Sequence, residues 1–155
     1  MSGAARGPTP LMLRIAAPTL PARLPEVRGR MAAWAAAIGF AADTVDDIVL
    51  ATHEALANVA DHAYSDGRGD ALLYADCRDG MVRVVVRDHG RWRDPTPDAG
   101  WRGRGLVIIY GLAEHVVVQR GDAGTRVEMC WQAPTGPVVR QDRHHWPSVE
   151  RSSGL

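Results

Sequence analysis

Apolar positions three and four apart organise the first third of the chain. Leu11 to Ala17 fits a short strand, which Pro18 and Pro21 interrupt. Leu24, Val27, Met31, Trp34 and Ile38 then mark one face of an amphipathic helix over about residues 23–38, and Gly39 suits its C-terminal stop. Ala42-Asp43-Thr44 offers an N-cap for a second helix, with Asp46 and Asp47 expected in its first turn, where the helix dipole favours acids. The apolar face of this helix runs through Ile48, Ala51, Ala55 and Val59 to about His62.

The period then changes. Residues 65–69 (SDGRG) read as a turn. Residues 71–76 and 81–88 read as two strands joined across Arg78-Asp79-Gly80, a hairpin signal. Residues 89–104 (HGRWRDPTPDAGWRGR) have no apolar period, and a loop that long inside a compact domain is usually functional or disordered. Residues 106–112 are apolar and fit a strand or a helix; the glycines before them favour the helix. Residues 114–120 and 125–131 form a second hairpin across Gly121-Asp122-Ala123-Gly124. Residues 1–10 are rich in Gly and Pro and 133–155 in Pro, Arg, His and Ser, so both read as disordered segments or linkers of a longer chain, leaving 11–132 as one domain. Hairpins beside segregated helices give an α+β fold class: a two-layer sandwich of a mixed, mostly antiparallel sheet with helices on one face.

Composition narrows the function. A chain of 155 residues with 46% hydrophobic positions can build one real core. Its formal net charge of zero gives no footprint for nucleic acid held by bulk charge. All eighteen basic residues are Arg. A Walker A loop and a eukaryotic-type protein kinase both require a Lys at the phosphates, so both are excluded. Cys77 and Cys130 show no metal-site spacing and suit reduced core positions. No segment has the length of a membrane span or the pattern of a signal peptide, which predicts a soluble, cytoplasmic protein.

Three clusters carry candidate chemistry. Glu54 and Asn58 lie one turn apart on the second helix and His62 continues their stripe, either as a solvated polar face or as a site. Asp88-His89-Gly90 closes a Val-rich strand, where it reads as a turn or as an acceptor with room for a ligand beside it. Gly103-Arg104-Gly105 precedes the apolar run from Leu106, so backbone N–H groups at a helix start can face a phosphate, with Arg102 and Arg104 as charged donors. A dinucleotide fingerprint needs Gly at 108, where Ile108 stands, so that reading fails. Trp34 fits the core, Trp92 and Trp101 in the long loop suit a nucleotide cover or a partner contact, and His144-His145 lack a third metal ligand.

Order and spacing bind these clusters together. The segments HEALANVADHAY, VVRDHGRWRDP, GWRGRGLVIIYGLA and GTRVEM resemble the N, G1, G2 and G3 boxes of the GHKL ATPase superfamily, in the compact form of the bacterial anti-sigma-factor serine kinases. The resemblance covers residues 11–132 and implies the Bergerat ATP-binding fold. It implies an ATP-dependent serine/threonine kinase that phosphorylates an anti-anti-sigma (STAS-type) partner, sequesters a sigma factor and forms a homodimer. The alternative is a nucleotide-gated module that sequesters a partner without efficient phosphoryl transfer. By the same resemblance, Asn58 is the Mg²⁺ ligand and Glu54 the general base, with His62 in the same box. Asp88 takes the adenine amino group, with Gly90 making room and Thr125 assisting. Gly103, Arg104, Gly105 and Leu106 form the lid edge over the phosphates, and Arg102 or Arg104 neutralises charge on the γ-phosphoryl group. Val59 stands where Ala is common, a packing difference. The roughly forty residues before the N box leave room for one helix, which predicts that this is not a complete histidine kinase.

Overall fold

The computed structural model describes residues 8–63, 68–90 and 104–135, with the side chain of His62 left out. Strand β1 (Leu11–Ala16) passes through a 3-10 turn (Ala17–Thr19) into helix α1 (Leu20–Ile38). The helix starts before its expected boundary because Leu20 is fully buried and shares the apolar face of Val27 and Met31. Pro21 is tolerated in the first turn, where its missing N–H has no helical partner to lose. Pro25 lies inside the helix and costs it the bond to the Pro21 carbonyl. Gly39 closes α1 in the left-handed region at φ 107°, its N–H donating to the Ala36 carbonyl at 3.0 Å. The Trp34 indole donates to the Thr9 carbonyl at 3.0 Å and ties the chain before β1 to α1. Residues 1–7 of the expected disordered segment lie outside the described residues.

Helix α2 (Ala42–His62) corrects one expectation. Its N-cap is Ala41, with no side-chain cap, and Asp43 is the acid of the first turn. The first helical bond, Val45 N–H to the Ala41 carbonyl at 3.0 Å, puts buried Val45 and Ile48 in phase with the core, and Asp46 and Asp47 fall beyond that turn.

Strands β2 (Asp70–Arg78) and β3 (Met81–Asp88) form the first hairpin, helix α3 (Arg104–Leu112) follows, and β4 (His115–Gly121) and β5 (Gly124–Gln132) form the second. The apolar run from Leu106 is therefore helical. Asp79 at φ 51° and Gly80 at φ 74° are both left-handed, so the first hairpin closes on a two-residue type I′ turn, and β2 extends to pair Arg78 with Met81. The sheet order is β1-β2-β3-β5-β4, and all four ladders are antiparallel rather than mixed. Among the described residues no helix is long and apolar enough to cross a membrane.

Alternation along the strands divides the sheet into two faces. Ile15, Leu73, Val84 and Met129, from four adjacent strands, are fully buried against Met31, Ile48, Leu56 and Ile109 of the three helices. Each such side chain contributes about 1.5–3 kcal/mol on burial. The opposite face carries charge. There the buried Asp76 carboxylate is held by Arg78 Nε at 3.1 Å, Arg83 Nη2 at 3.3 Å and the Tyr74 hydroxyl at 3.2 Å, partners without which a sequestered charge would be costly.

Candidate nucleotide site

The site forms where α2 crosses the ends of β3 and β5 and meets the start of α3. Asp88 ends β3 and faces the helices, only 5% exposed. Its Oδ1 accepts the Gly90 N–H at 2.9 Å and the Thr125 N–H at 3.3 Å. Burial pushes the Asp88 carboxyl above the ordinary Asp value, while these two N–H groups and His89 pull it part of the way back.

Two glycines hold that corner. A Cβ on Gly90 would lie 1.7 Å from the Ala63 carbonyl oxygen, so the bare backbone admits the C-terminal end of α2. Gly124, at φ 120°, would place a Cβ 2.0 Å from the Asp88 carbonyl oxygen. Both positions require glycine for close backbone approach, and Gly124 for its conformation as well.

Glu54 and Asn58, one turn apart on α2, are half-buried, and Asn58 lines the cleft with Asp88. Gly105, in the first turn of α3, packs directly on them. An ideal Cβ there would lie 3.0 Å from Asn58 Oδ1, 3.2 Å from its Nδ2 and 3.3 Å from Glu54 Oε2. The helix start of one box thus meets the amide and the carboxylate of another at one point. Arg104 opens α3 and is exposed. Gly103, Arg102, Trp92 and Trp101 lie outside the described residues, as does the side chain of His62, the last residue of α2.

Asn58 and Asp88 line one open cleft. Ala55, Val59, Val86, Leu106, Val118 and Val127 give it apolar walls, and Asn58, Asp88, Thr125 and Arg120 supply its polar groups. A mostly apolar cavity with a few convergent polar groups suits a flat, partly polar ligand. Arg120 is the one polar lining residue that sequence reasoning missed. Its signal was present: Val116, Val118 and Arg120 alternate along β4 on the helix-facing side, and Arg120 pairs with Thr125.

Residues 17–131 match the family profile of the histidine kinase-like ATPase domain. The serine-protein kinase RsbW of Bacillus thuringiensis (strain Al Hakam) is 31% identical over 114 residues, covering 64% of this chain and 71% of that protein. RsbW of Halalkalibacterium halodurans is 30% identical over 107 residues, covering 59% and 65%. The crystal structure of the RsbU and RsbW domains of a Mycobacterium tuberculosis protein superposes with a TM-score of 0.65 at 28% identity. That match covers 81% of this chain and 33% of the solved one, so this chain spans one third of that longer structure. With most of its length matched, and with the boxes brought together around one cleft, the chain belongs to the histidine kinase-like ATPase domain family, of the RsbW type.

Proposed function

We propose that this protein is an anti-sigma factor and ATP-dependent serine/threonine kinase. It binds Mg·ATP, transfers the γ-phosphoryl group to a serine of an anti-anti-sigma partner of the STAS type, and sequesters a sigma factor in the cytoplasm as a homodimer. The observation that carries this reading is the convergence of Glu54 and Asn58 at Gly105, with Asn58 lining the same cleft as the buried Asp88.

The chemistry follows from the placement. Asp88 accepts a hydrogen from the adenine amino group, and the apolar walls cover the ring. The first-turn N–H groups of α3 face the phosphates, with Arg104 balancing charge that develops on the transferred group. Glu54 takes the proton of the attacking serine hydroxyl as its oxygen bonds to the γ-phosphorus and the bond to the β-phosphate oxygen breaks. Among the described residues no three His, Cys, Asp or Glu gather around a metal position. A cation here would draw on Asn58 Oδ1 and otherwise on phosphate and water oxygens, a donor set that suits Mg²⁺. When bound, Mg²⁺ would neutralise phosphate charge.

Calorimetric titration of ATP with and without Mg²⁺, in parallel with Asp88→Asn, tests the site. Mg-dependent binding is expected, weakened roughly tenfold to hundredfold in the variant, the scale of a hydrogen bond to a charged group. Equal affinity in Asp88→Asn would remove the base site from the proposal. Binding of ATP without transfer to any serine would favour the nucleotide-gated module.

The raised Asp88 carboxyl also predicts a pH dependence. An adenine amino group needs the ionised acceptor, so nucleotide binding expels the proton. Affinity should rise with pH from the ordinary Asp range up through the folded value and then level off, and Asp88→Asn should flatten the profile. Stability of the ligand-free protein runs the other way. The native state holds this proton more tightly than the unfolded chain, so this group's contribution falls as pH rises through the same window. Calorimetric and urea titrations between about pH 4 and 7 read both slopes.

A further inference from the structure

Arg120 is an exposed cation on the edge strand β4, yet it lines the cleft beside Asp88 and Thr125. The register explains this. Asp88 pairs with Thr125 across β3 and β5, and Thr125 pairs with Arg120 across β5 and β4. The three residues form one cross-strand row, and Val86 and Val118, their neighbours on β3 and β4, mark its helix-facing side. Two strand spacings, about 10 Å, separate the Asp88 and Arg120 backbones. An arginine side chain and a purine ring edge together fill such a gap.

We infer that Arg120 is a nucleotide-binding residue of the base end, whose guanidinium lies flat on the outer face of the purine that Asp88 holds by its amino edge. The inference rests on the adenine-nucleotide reading above. The phosphate end already has its own arginine in Arg104 at the start of α3, beside Glu54 and Asn58. The base end has an acceptor in Asp88, aliphatic walls in Val86 and Val118, and no aromatic ring among its described lining residues. A base seated there has one face against valine and the other towards the rim, where Arg120 stands. A planar, weakly hydrated guanidinium stacks on a π face, whereas a lysine ammonium keeps its water and lacks the plane.

The test compares adenosine, ADP and ATP binding to the full chain carrying Arg120→Ala, Arg120→Lys or Asp88→Asn, at low and high salt, with circular dichroism to confirm the fold. Arg120 is exposed at a sheet edge, so its replacement leaves the core untouched. Arg120→Ala should weaken all three ligands by the same factor, about three- to tenfold. That factor should persist at high salt, and Arg120→Lys should recover little of it. Loss confined to ADP and ATP, restored by Lys and erased by salt, would place the side chain on the phosphates and overturn the inference. Unchanged binding in Arg120→Ala would overturn it as well, while the adenine site would still stand on Asp88→Asn. Failure of the wild-type protein to bind any of the three would overturn the adenine reading itself, and this inference with it.

Discussion

Glu54→Gln should slow phosphoryl transfer to a serine-bearing anti-anti-sigma partner by about 10²–10⁴-fold, the range of general-base help, while Mg·ATP affinity stays within about threefold. The split is expected from position. Glu54 Oε2 and Asn58 Oδ1 both face Gly105, but the two groups have different work in the proposed mechanism. Removing the charge at Glu54 leaves the hydroxyl without a proton acceptor. Removing the amide oxygen, in Asn58→Ala, should instead weaken the Mg-dependent part of ATP binding. Single-turnover transfer from labelled ATP, with affinities measured separately by calorimetry, resolves the two. Unchanged transfer in Glu54→Gln would take this carboxylate out of the chemistry and leave a binding module.

Gly90→Ala should destabilise the fold by at least about 1–3 kcal/mol, the usual cost of forcing extra volume into a packed interior. The methyl carbon would meet the Ala63 carbonyl oxygen at 1.7 Å and its carbon at 2.3 Å. Those are backbone atoms, which cannot rotate aside, so the end of α2 or of β3 must shift. Because Asp88 Oδ1 accepts the Gly90 N–H, a shift there also loosens the proposed base acceptor, and ATP affinity should fall with stability. Gly29→Ala is the control: Gly29 lies in α1 with nothing within 4 Å of the added carbon, and alanine there should stabilise by roughly 0.5–1 kcal/mol. Urea unfolding of the two variants should therefore move in opposite directions. Wild-type stability in Gly90→Ala would mean that α2 and β3 do not approach as closely as described.

Much of this architecture was legible from local pattern because the physics behind it is local. Gly39 could be read as a helix stop because a left-handed cap favours glycine whatever surrounds it. Asp79-Gly80 could be read as a hairpin because a type I′ turn needs two left-handed residues in succession. Glu54 and Asn58 could be placed on one face because a helix brings positions four apart together. Boundaries were less legible. α1 begins at Leu20, with two prolines inside its span, because burying Leu20 outweighs what proline costs near a helix start. α2 does without a side-chain cap because the phase of Val45 and Ile48 sets where it must begin.

By itself the sequence determined the order of the elements, the α+β class, the exclusion of lysine-dependent phosphate sites and the residues around which an ATP site would be built. Only the tertiary structure decided that α3 starts against Glu54 and Asn58, that the bare backbone at Gly90 and Gly124 admits Ala63 and Asp88, and that Arg120 joins Asp88 and Thr125 in one row. These are contacts between residues far apart in the chain. They depend on strand order and register, which place β4 outside β5 rather than beside β3, and no local spacing encodes that choice.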